Sequence, residues 1–279
     1  MSSPADVRAP IAYLADGDGP VEHRVYPVSS GRPSTRPPIA FVTMPVHDAR
    51  PLADALDIDV QGFVPCAFPP VDGDCCDDRY VREHYYPQVA EFVRARLAAR
   101  AVFVFDHNVR SRVRAGRGET GVRVPVEAAH NDYTVNSGPR RAREVLADHG
   151  REDLAGRRCA LVNLWRPLIG PVQDLPLALC DARTVGADDI VDTPIHHYVE
   201  RDLERPGHTG EIQSLRHAAA HRWYWFPDMQ PSEALLLKCY DSATDGRARF
   251  MPHTAFTHPS PPPGCTPRES IEARTLVVF

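Results

Sequence analysis

Short apolar and aromatic runs separated by turn residues recur from residue 101 to the C-terminus. These runs occupy residues 101–105, 122–126, 159–165, 175–180, 222–226, 234–240, 250–256 and 271–279. Runs of this length, bounded by Gly, Pro, Asn or Asp, are typical of β-strands. No helix alternates regularly with them, so a doubly wound parallel sheet is not expected. The pattern predicts a mainly β sandwich or jelly roll.

Two segments show helical spacing instead. From Asp78 to Arg100, apolar side chains recur at helical intervals with charges between them, and Pro87 should begin or kink this helix. A shorter helix is predicted from Pro139 to about His149, where Ser137 can cap its start and Gly150 can end it. The predicted fold is therefore mainly β with a few flanking helices.

The first 50 residues differ from the rest in composition. They are rich in Pro, Ser and Gly, with short apolar patches at Ile11–Leu14 and Ile39–Val42. This composition predicts an extended arm that packs on the main body. A chain of 279 residues can bury one large core, and no internal repeat is visible. We therefore expect a single domain over residues 1–279, with residues 1–50 as its arm.

Charge and hydropathy exclude several classes of partner. Lys and Arg total 32 against 37 Asp and Glu, a net charge of −5, whereas a nucleic-acid binder usually needs a basic excess. No apolar run approaches the roughly 18 to 20 residues that span a bilayer, and residues 1–6 lack a leader pattern. Seven scattered cysteines without a Cys-x-x-Cys favour reduced thiols. We expect no nucleic acid, no membrane and a cytoplasmic location.

The segment His130-Asn131-Asp132 follows directly on the strand pattern of residues 122–129. In a strand, residues i and i+2 project to the same side, so the imidazole and the carboxylate can reach one ion. A histidine from a neighbouring strand would complete a two-histidine, one-carboxylate facial triad, which leaves positions open on Fe(II). His-x-Asp is also common by chance, and the alternative is a hydrogen-bonded turn.

Two later histidines can supply the third ligand, and the residues alone leave both open. His221 begins the aromatic strand pattern of residues 221–226, and Lys238 in the next strand would then face a second substrate. His253 lies in a second strand pattern and is followed by Arg268-Glu269-Ser270. A guanidinium pairs bidentately with a carboxylate, and a serine two residues on lies on the same strand face. For either histidine, the alternative is a core residue bonded to backbone.

Six segments in order carry a resemblance to a known family. They are His130-Asn131-Asp132-Tyr133, Asn163-Leu164-Trp165-Arg166-Pro167, Pro176-Leu177-Ala178-Leu179-Cys180-Asp181, His221-Arg222-Trp223-Tyr224-Trp225-Phe226-Pro227, Lys238-Cys239-Tyr240-Asp241-Ser242 and Arg268-Glu269-Ser270-Ile271-Glu272-Ala273-Arg274. Together they resemble the cephem methoxylase, gibberellin desaturase and AsaB-like hydroxylase/desaturase family of fungi and bacteria. An ordered series of this kind is far more specific than any one motif.

The resemblance implies a double-stranded β-helix enzyme, of the jelly-roll or cupin-like kind, that uses Fe(II), 2-oxoglutarate and O2 in secondary metabolism. The family pattern places Asn-Pro-x-His at a strand opening, which maps the distal ligand onto His221. Here Ala218-Ala219-Ala220 precede that histidine, so the Asn-Pro is missing. The resemblance favours His130, Asp132 and His221 as metal ligands, with His253 as the alternative.

The same resemblance implies a basic residue that holds the distal carboxylate of 2-oxoglutarate. Arg268 with Ser270 is the first choice for this clamp, and Lys238 is the second. Arg166 and Arg274 stay open between binding a substrate carboxylate and pairing with Asp181 and Glu272.

The expected activity is hydroxylation or desaturation of a small-molecule metabolite. Two alternatives belong to other classes. One is a zinc-dependent isomerase or hydrolase on a similar barrel, and the other is a catalytically silent accessory protein of a methoxylation system. Either the N-terminal arm or the C-terminal strand could mediate a homodimer.

Overall fold

Two β-sheets form the framework of the computed structural model, which describes residues 6–279. The first five residues of the predicted arm lie outside this range. The strands are β1 Val7–Leu14, β2 His23–Val25, β3 Ile39–Asp48, β4 Phe63–Ala67, β5 Ala101–Ser111, β6 Val122–Arg123, β7 His130–Asn131, β8 Cys159–Pro167, β9 Leu177–Cys180, β10 Ile190–His197, β11 His208–Leu215, β12 Trp223–Trp225, β13 Glu233–Asp241, β14 His253–Ala255 and β15 Glu269–Val278.

Helices are few and short. They are α1 Asp78–Tyr80, α2 Tyr86–Arg96, α3 Arg112–Gly116 and α4 Ser137–Asp148, with a π-helical turn at Val81–Tyr85 and 3₁₀ turns at Val28–Ser30, Arg50–Ala55, Glu152–Leu154, Ala182–Thr184 and Ala187–Asp189. The prediction of a mainly β chain with a few helices is confirmed. Within residues 6–279, none of the helices is long and apolar enough to cross a membrane.

The larger sheet has nine strands over the described residues, in the order β1-β3-β12-β9-β14-β7-β11-β10-β2. It curls, because single bridges join Ala12 to Ala128 beside β7 and Leu14 to Arg216 beside β11. The smaller sheet has six strands in the order β4-β13-β8-β15-β5-β6. Strands β7 and β14, which carry His130 and His253, lie side by side in the larger sheet.

The middle strands of the smaller sheet are buried on both faces. Along β8, Leu161 and Trp165 belong to one apolar cluster, while Val162 and Leu164 belong to another that includes Val89 and Val93 of α2. Successive strand residues point to opposite faces, so one face packs on the helix and the other faces inward. This double burial explains why β8, β13 and β15 read as continuous apolar runs.

The eight predicted strands are all present, with shifted ends. The helix predicted from residue 78 is divided by the π-helical turn, and Pro87 lies directly after that turn, at the second residue of α2. Both apolar patches of the predicted arm are strands: Ile11–Leu14 lies in β1 and Ile39–Val42 in β3. Strand β11 was not predicted, because its residues His208–Leu215 are largely polar.

We predict that Leu164→Ala lowers the free energy of unfolding by about 2–5 kcal/mol, because the fully buried side chain would leave a cavity between the sheet and α2. Urea denaturation measures the change. Phe41→Ala is the control, since Phe41 is 60% exposed and its truncation should change stability by at most about 0.5 kcal/mol. Equal losses in the two variants would contradict the packing described here.

Candidate metal centre

Three side chains of types that can ligate a metal converge on the inner face of the larger sheet. His130 on β7 and His253 on β14 are direct cross-strand partners, and their ring centroids lie 4.7 Å apart. Asp132 follows β7 at the i+2 position. One ligand atom from each of the three residues lies within 4.8 Å of the others. Within the described part of the chain, this is the group of His, Cys and acidic residues that could hold a metal ion.

The two imidazoles have the tautomer that a metal needs. Nδ1 of His130 lies 2.8 Å from the carbonyl of Ala128, and Nδ1 of His253 lies 3.3 Å from the carbonyl of Met251. A carbonyl only accepts, so each Nδ1 carries the proton and donates, which leaves the Nε2 lone pair free. Nε2 of His130 is 3.5 Å from Oδ1 of Asp132.

Burial makes His253 neutral at physiological pH. Desolvation, together with the nearby His130, lowers the pKa of His253 to about 4. An imidazole binds a metal only in its neutral form, so this histidine needs no deprotonation before a metal binds.

The facing sheet holds the carboxylate of Asp132. Asn163 on β8 donates its side-chain amide to Oδ2 at 2.8 Å, and Nε of Arg274 on β15 donates to the same oxygen at 3.2 Å. Burial alone would raise the pKa of Asp132. The charge of Arg274 and the contact with His130 outweigh it and hold that pKa well below its usual range. Asp132 is therefore a carboxylate whose Oδ1 stays available to a cation.

A small cavity lies between the sheets, lined by His130 and His253 together with Trp165, Arg268 and Glu272. Arg268 is 3% exposed, donates from Nη1 to the carbonyl of Leu175 at 2.6 Å and lies 5.6 Å over the Trp165 ring. Its Nε and the hydroxyl of Ser270 are buried without a partner in residues 6–279. Unsatisfied buried donors are costly, so these two atoms fit an acidic ligand in the cavity.

The structure places His221 and Lys238 elsewhere. Nε2 of His221 lies 3.1 Å from Asp189, and its Nδ1 lies 3.3 Å from the hydroxyl of Tyr13. Lys238 donates to Asp241 at 3.1 Å and contacts Asp59. The structure thus groups His130, Asp132 and His253 with Arg268 beside them, and it gives His221 and Lys238 partners of their own.

Residues that the sequence left without a role surround the centre. Arg274 pairs with Asp132, with Asp106 at 2.8 Å and with Glu272 at 3.6 Å. Arg166, by contrast, donates to the carbonyls of Pro69 and Pro231 on the other side of the sheet. The sequence did carry one sign of the inner face. Every second residue from Arg268 to Arg274 is polar, as expected for side chains on one face of a strand, and these residues are Arg268, Ser270, Glu272 and Arg274. Asn163 begins one of the six family segments but was given no role, because its immediate neighbours Val162 and Leu164 are apolar.

Comparison with known proteins supplies an independent finding. Residues 11–278 match the family model described as YDMC: Oxidoreductase/YMDC permease-like domain. The chain is 33% identical over 242 residues to the Fe(II)/2-oxoglutarate-dependent dioxygenase nvfI of Aspergillus novofumigatus, which covers 83% of this chain and 81% of that protein. It is 31% identical over 267 residues to the hydroxylase/desaturase efuI of Hormonema carpetanum, covering 88% and 86%.

A solved structure agrees over nearly the whole chain. The iron and alpha-ketoglutarate-dependent endoperoxidase NvfI superposes with a TM-score of 0.83 at 27% identity, covering 98% of both chains. Sequence and fold therefore lead to the same conclusion, and the predicted enzyme class is confirmed. The chain belongs to the AsaB-like hydroxylase/desaturase family of Fe(II)/2-oxoglutarate-dependent dioxygenases.

Proposed function

We propose that this enzyme uses Fe(II), 2-oxoglutarate and O2 to hydroxylate or desaturate a small organic metabolite, within a single double-stranded β-helix domain. The observation that carries the proposal is the meeting of His130, Asp132 and His253, with both Nε2 lone pairs free and the carboxylate ionised. Two imidazoles and one carboxylate are the donor set of non-haem Fe(II) oxygenases. The residues present fit this metal.

His253, not His221, is the distal ligand in this proposal. His253 lies opposite His130 in neighbouring strands, whereas the ring nitrogens of His221 face Asp189 and Tyr13. A metal held by His221 would have to displace the carboxylate of Asp189 from that ring. The pairing of β7 with β14 requires no such rearrangement.

Arg268 and Ser270 form the clamp for the distal carboxylate of 2-oxoglutarate. Arg268 lines the cavity that reaches His130 and His253, and its Nε and the hydroxyl of Ser270, two residues along, are both donors without a partner in the described chain. A 2-oxo acid lying along β15 could then present its oxo-acid end to the metal. Lys238 is less suited, because its ammonium is already neutralised by Asp59 and Asp241.

When bound, iron with 2-oxoglutarate and O2 supplies the oxidant that removes hydrogen from a C–H bond. The chain's own residues orient that centre and shape its surroundings. Asn163 and Arg274 fix the Asp132 carboxylate, while Val126, Trp165 and Leu177 give the cavity an apolar wall that limits water. A structural neighbour named an endoperoxidase and sequence relatives named hydroxylase/desaturase support a small organic substrate.

The first test is anaerobic titration of the apoprotein with Fe(II) and then 2-oxoglutarate, followed by the visible charge-transfer band of the chelate. We expect the band in the wild type and in His221→Ala, and its loss in His253→Ala. The reason is that only the second variant removes a ligand of the triad. Circular dichroism checks that both variants fold.

Loss of the band in His221→Ala alone would move the distal ligand to that residue. A folded wild type that binds Fe(II) but gives no band would contradict the oxygenase assignment and favour a zinc-type or accessory role.

A second prediction concerns the groups that hold Asp132. Arg274→Gln and Asn163→Leu should each weaken Fe(II) binding by roughly 10–100-fold, as is usual when a partner of a metal ligand is lost. Equilibrium titration with Fe(II) measures the change. Asp106→Asn is the matched control, because Asp106 contacts the same guanidinium but not Asp132. Unchanged affinity in both test variants would show that Asp132 needs neither residue.

A further inference from the structure

A second arginine lies on the inner face of the smaller sheet, beside the proposed clamp. Arg110 on β5 is the cross-strand partner of Ser270 on β15, and on its other side it is the partner of Arg123 on β6. Cross-strand partners point to the same face, so Ser270, Arg110 and Arg123 form a row. Arg110 lines the same cavity as His130, His253 and Arg268.

Arg110 forms no close ion pair in residues 6–279. Its Nη1 donates to the carbonyl of Val124 at 2.8 Å. The acidic group that acts on it most strongly is Glu272, which lines the same cavity but lies closer to Arg274, at 3.6 Å. Arg110 is thus a half-buried cation that shares its nearest carboxylate with another arginine, so an anion bound in the cavity would stabilise it.

A second unsatisfied donor lies on the same strand face. Asn108 is two residues before Arg110 and is the cross-strand partner of Glu272. Its side chain is 4% exposed, and its Nδ2 has no hydrogen-bond partner in the described chain. An amide N–H and a guanidinium on one face are both donors, so they select an acceptor that carries negative charge.

The anionic groups of 2-oxoglutarate do not account for Arg110. One end of that molecule would lie at the metal and the other at Arg268 and Ser270. Arg110 and Arg268 also repel each other, since Arg110 contributes, after burial, to lowering the pKa of Arg268 to about 10. With 2-oxoglutarate held at Arg268, the charge of Arg110 is balanced only in part by Glu272, a carboxylate that also pairs with Arg274.

The three arginines differ in how much of each is exposed to solvent. Arg268 is almost fully buried, Arg110 is half-buried, and Arg123 at the sheet edge is exposed. The row therefore runs from the closed end of the cavity to solvent. A ligand held by Arg110 would lie on the solvent side of the 2-oxoglutarate clamp, where an organic substrate must enter.

We infer that Arg110, with Asn108 and Arg123 beside it, binds a carboxylate of the organic substrate, so the substrate class is an organic acid. This inference rests on the proposed function. The subsite orients the acid group on the smaller sheet and leaves the apolar body of the substrate against Trp165 and Leu177, towards the metal. It is distinct from the clamp for 2-oxoglutarate.

The test uses the full chain loaded with Mn(II) in place of Fe(II) and with saturating 2-oxoglutarate. The probes are cyclohexanecarboxylic acid and 1-naphthoic acid, each paired with its primary amide. Broadening of their proton NMR signals by the metal reports binding near the centre. We expect the acids to bind roughly tenfold more tightly than the amides, as the loss of one charge-assisted hydrogen bond implies.

Arg110→Gln should abolish this preference, and Arg110→Lys should keep part of it. Arg123→Gln should weaken the preference for acids over amides, and it should leave folding unchanged because Arg123 is exposed at the sheet edge. Arg117→Gln removes one charge from an exposed arginine and should change nothing. In parallel, the charge-transfer band of the Fe(II) protein reports 2-oxoglutarate affinity, which should fall in Arg268→Gln and stay within about threefold in Arg110→Gln.

Three results would overturn the inference. Equal binding of acids and amides to the wild type would exclude the organic-acid class. A loss of 2-oxoglutarate affinity in Arg110→Gln as large as that in Arg268→Gln would assign Arg110 to the clamp. Acid preference that survives in both Arg110→Gln and Arg123→Gln would place the carboxylate elsewhere. Absence of any band in the wild type is a separate result, because it contradicts the proposed function itself.

Discussion

The hydrogen bonds from Asn163 and Arg274 to one oxygen of Asp132 connect the two sheets at the candidate metal centre. Asp132 follows a strand of the larger sheet, and its two donors belong to the smaller one. Without these donors, the buried carboxylate would lose its water without gaining hydrogen bonds in return, and its orientation beside the two imidazoles would not be fixed. With them, Oδ2 is occupied and Oδ1 is directed towards His130. The charge of Asp132 and the geometry of the triad both depend on this contact.

Strand alternation explains how the rest of the inner face is assembled. On β15, Ser270, Glu272 and Arg274 point inward, while Ile271 and Ala273 pack outward in the cluster that includes α2. A slip of one residue would exchange the two sets and bury three polar side chains against the helix. The apolar cluster under α2 therefore fixes the register that places the polar residues. Stability of the outer layer and chemistry of the inner face come from the same alternation.

The sequence was sufficient to predict local motifs, but it was not sufficient to predict which strands and side chains pair across the fold. His-x-Asp in a strand context identified His130 and Asp132 as candidates, since i and i+2 share a face whatever the partner strand. The choice between His221 and His253 depends on which strand lies beside β7, and that contact joins residues more than 120 positions apart. The absence of Asn-Pro before His221 already indicated that this segment departs from the family pattern. The partners of Lys238, at Asp59 and Asp241, are equally non-local.

The strand pairings of the N-terminal region are also non-local. The Pro-rich composition of residues 1–50 predicted an extended arm packed on the main body, and in the structure β1 of this region pairs with β3, which continues the sheet to β12. Apolar patches of four residues do not predict which strands pair or in what register, because their partners include strands far along the sequence. Arg110 illustrates the limit most clearly. Its neighbours Ser270 and Arg123 are visible only once the sheet is formed.

The most direct measurement of the central claim is an anomalous difference map at the iron edge from crystals grown anaerobically with Fe(II). We predict one strong peak between Nε2 of His130, Nε2 of His253 and Oδ1 of Asp132, with Oδ2 still bonded to Asn163 and Arg274. A peak beside His221 and Asp189, with none at His253, would contradict the account.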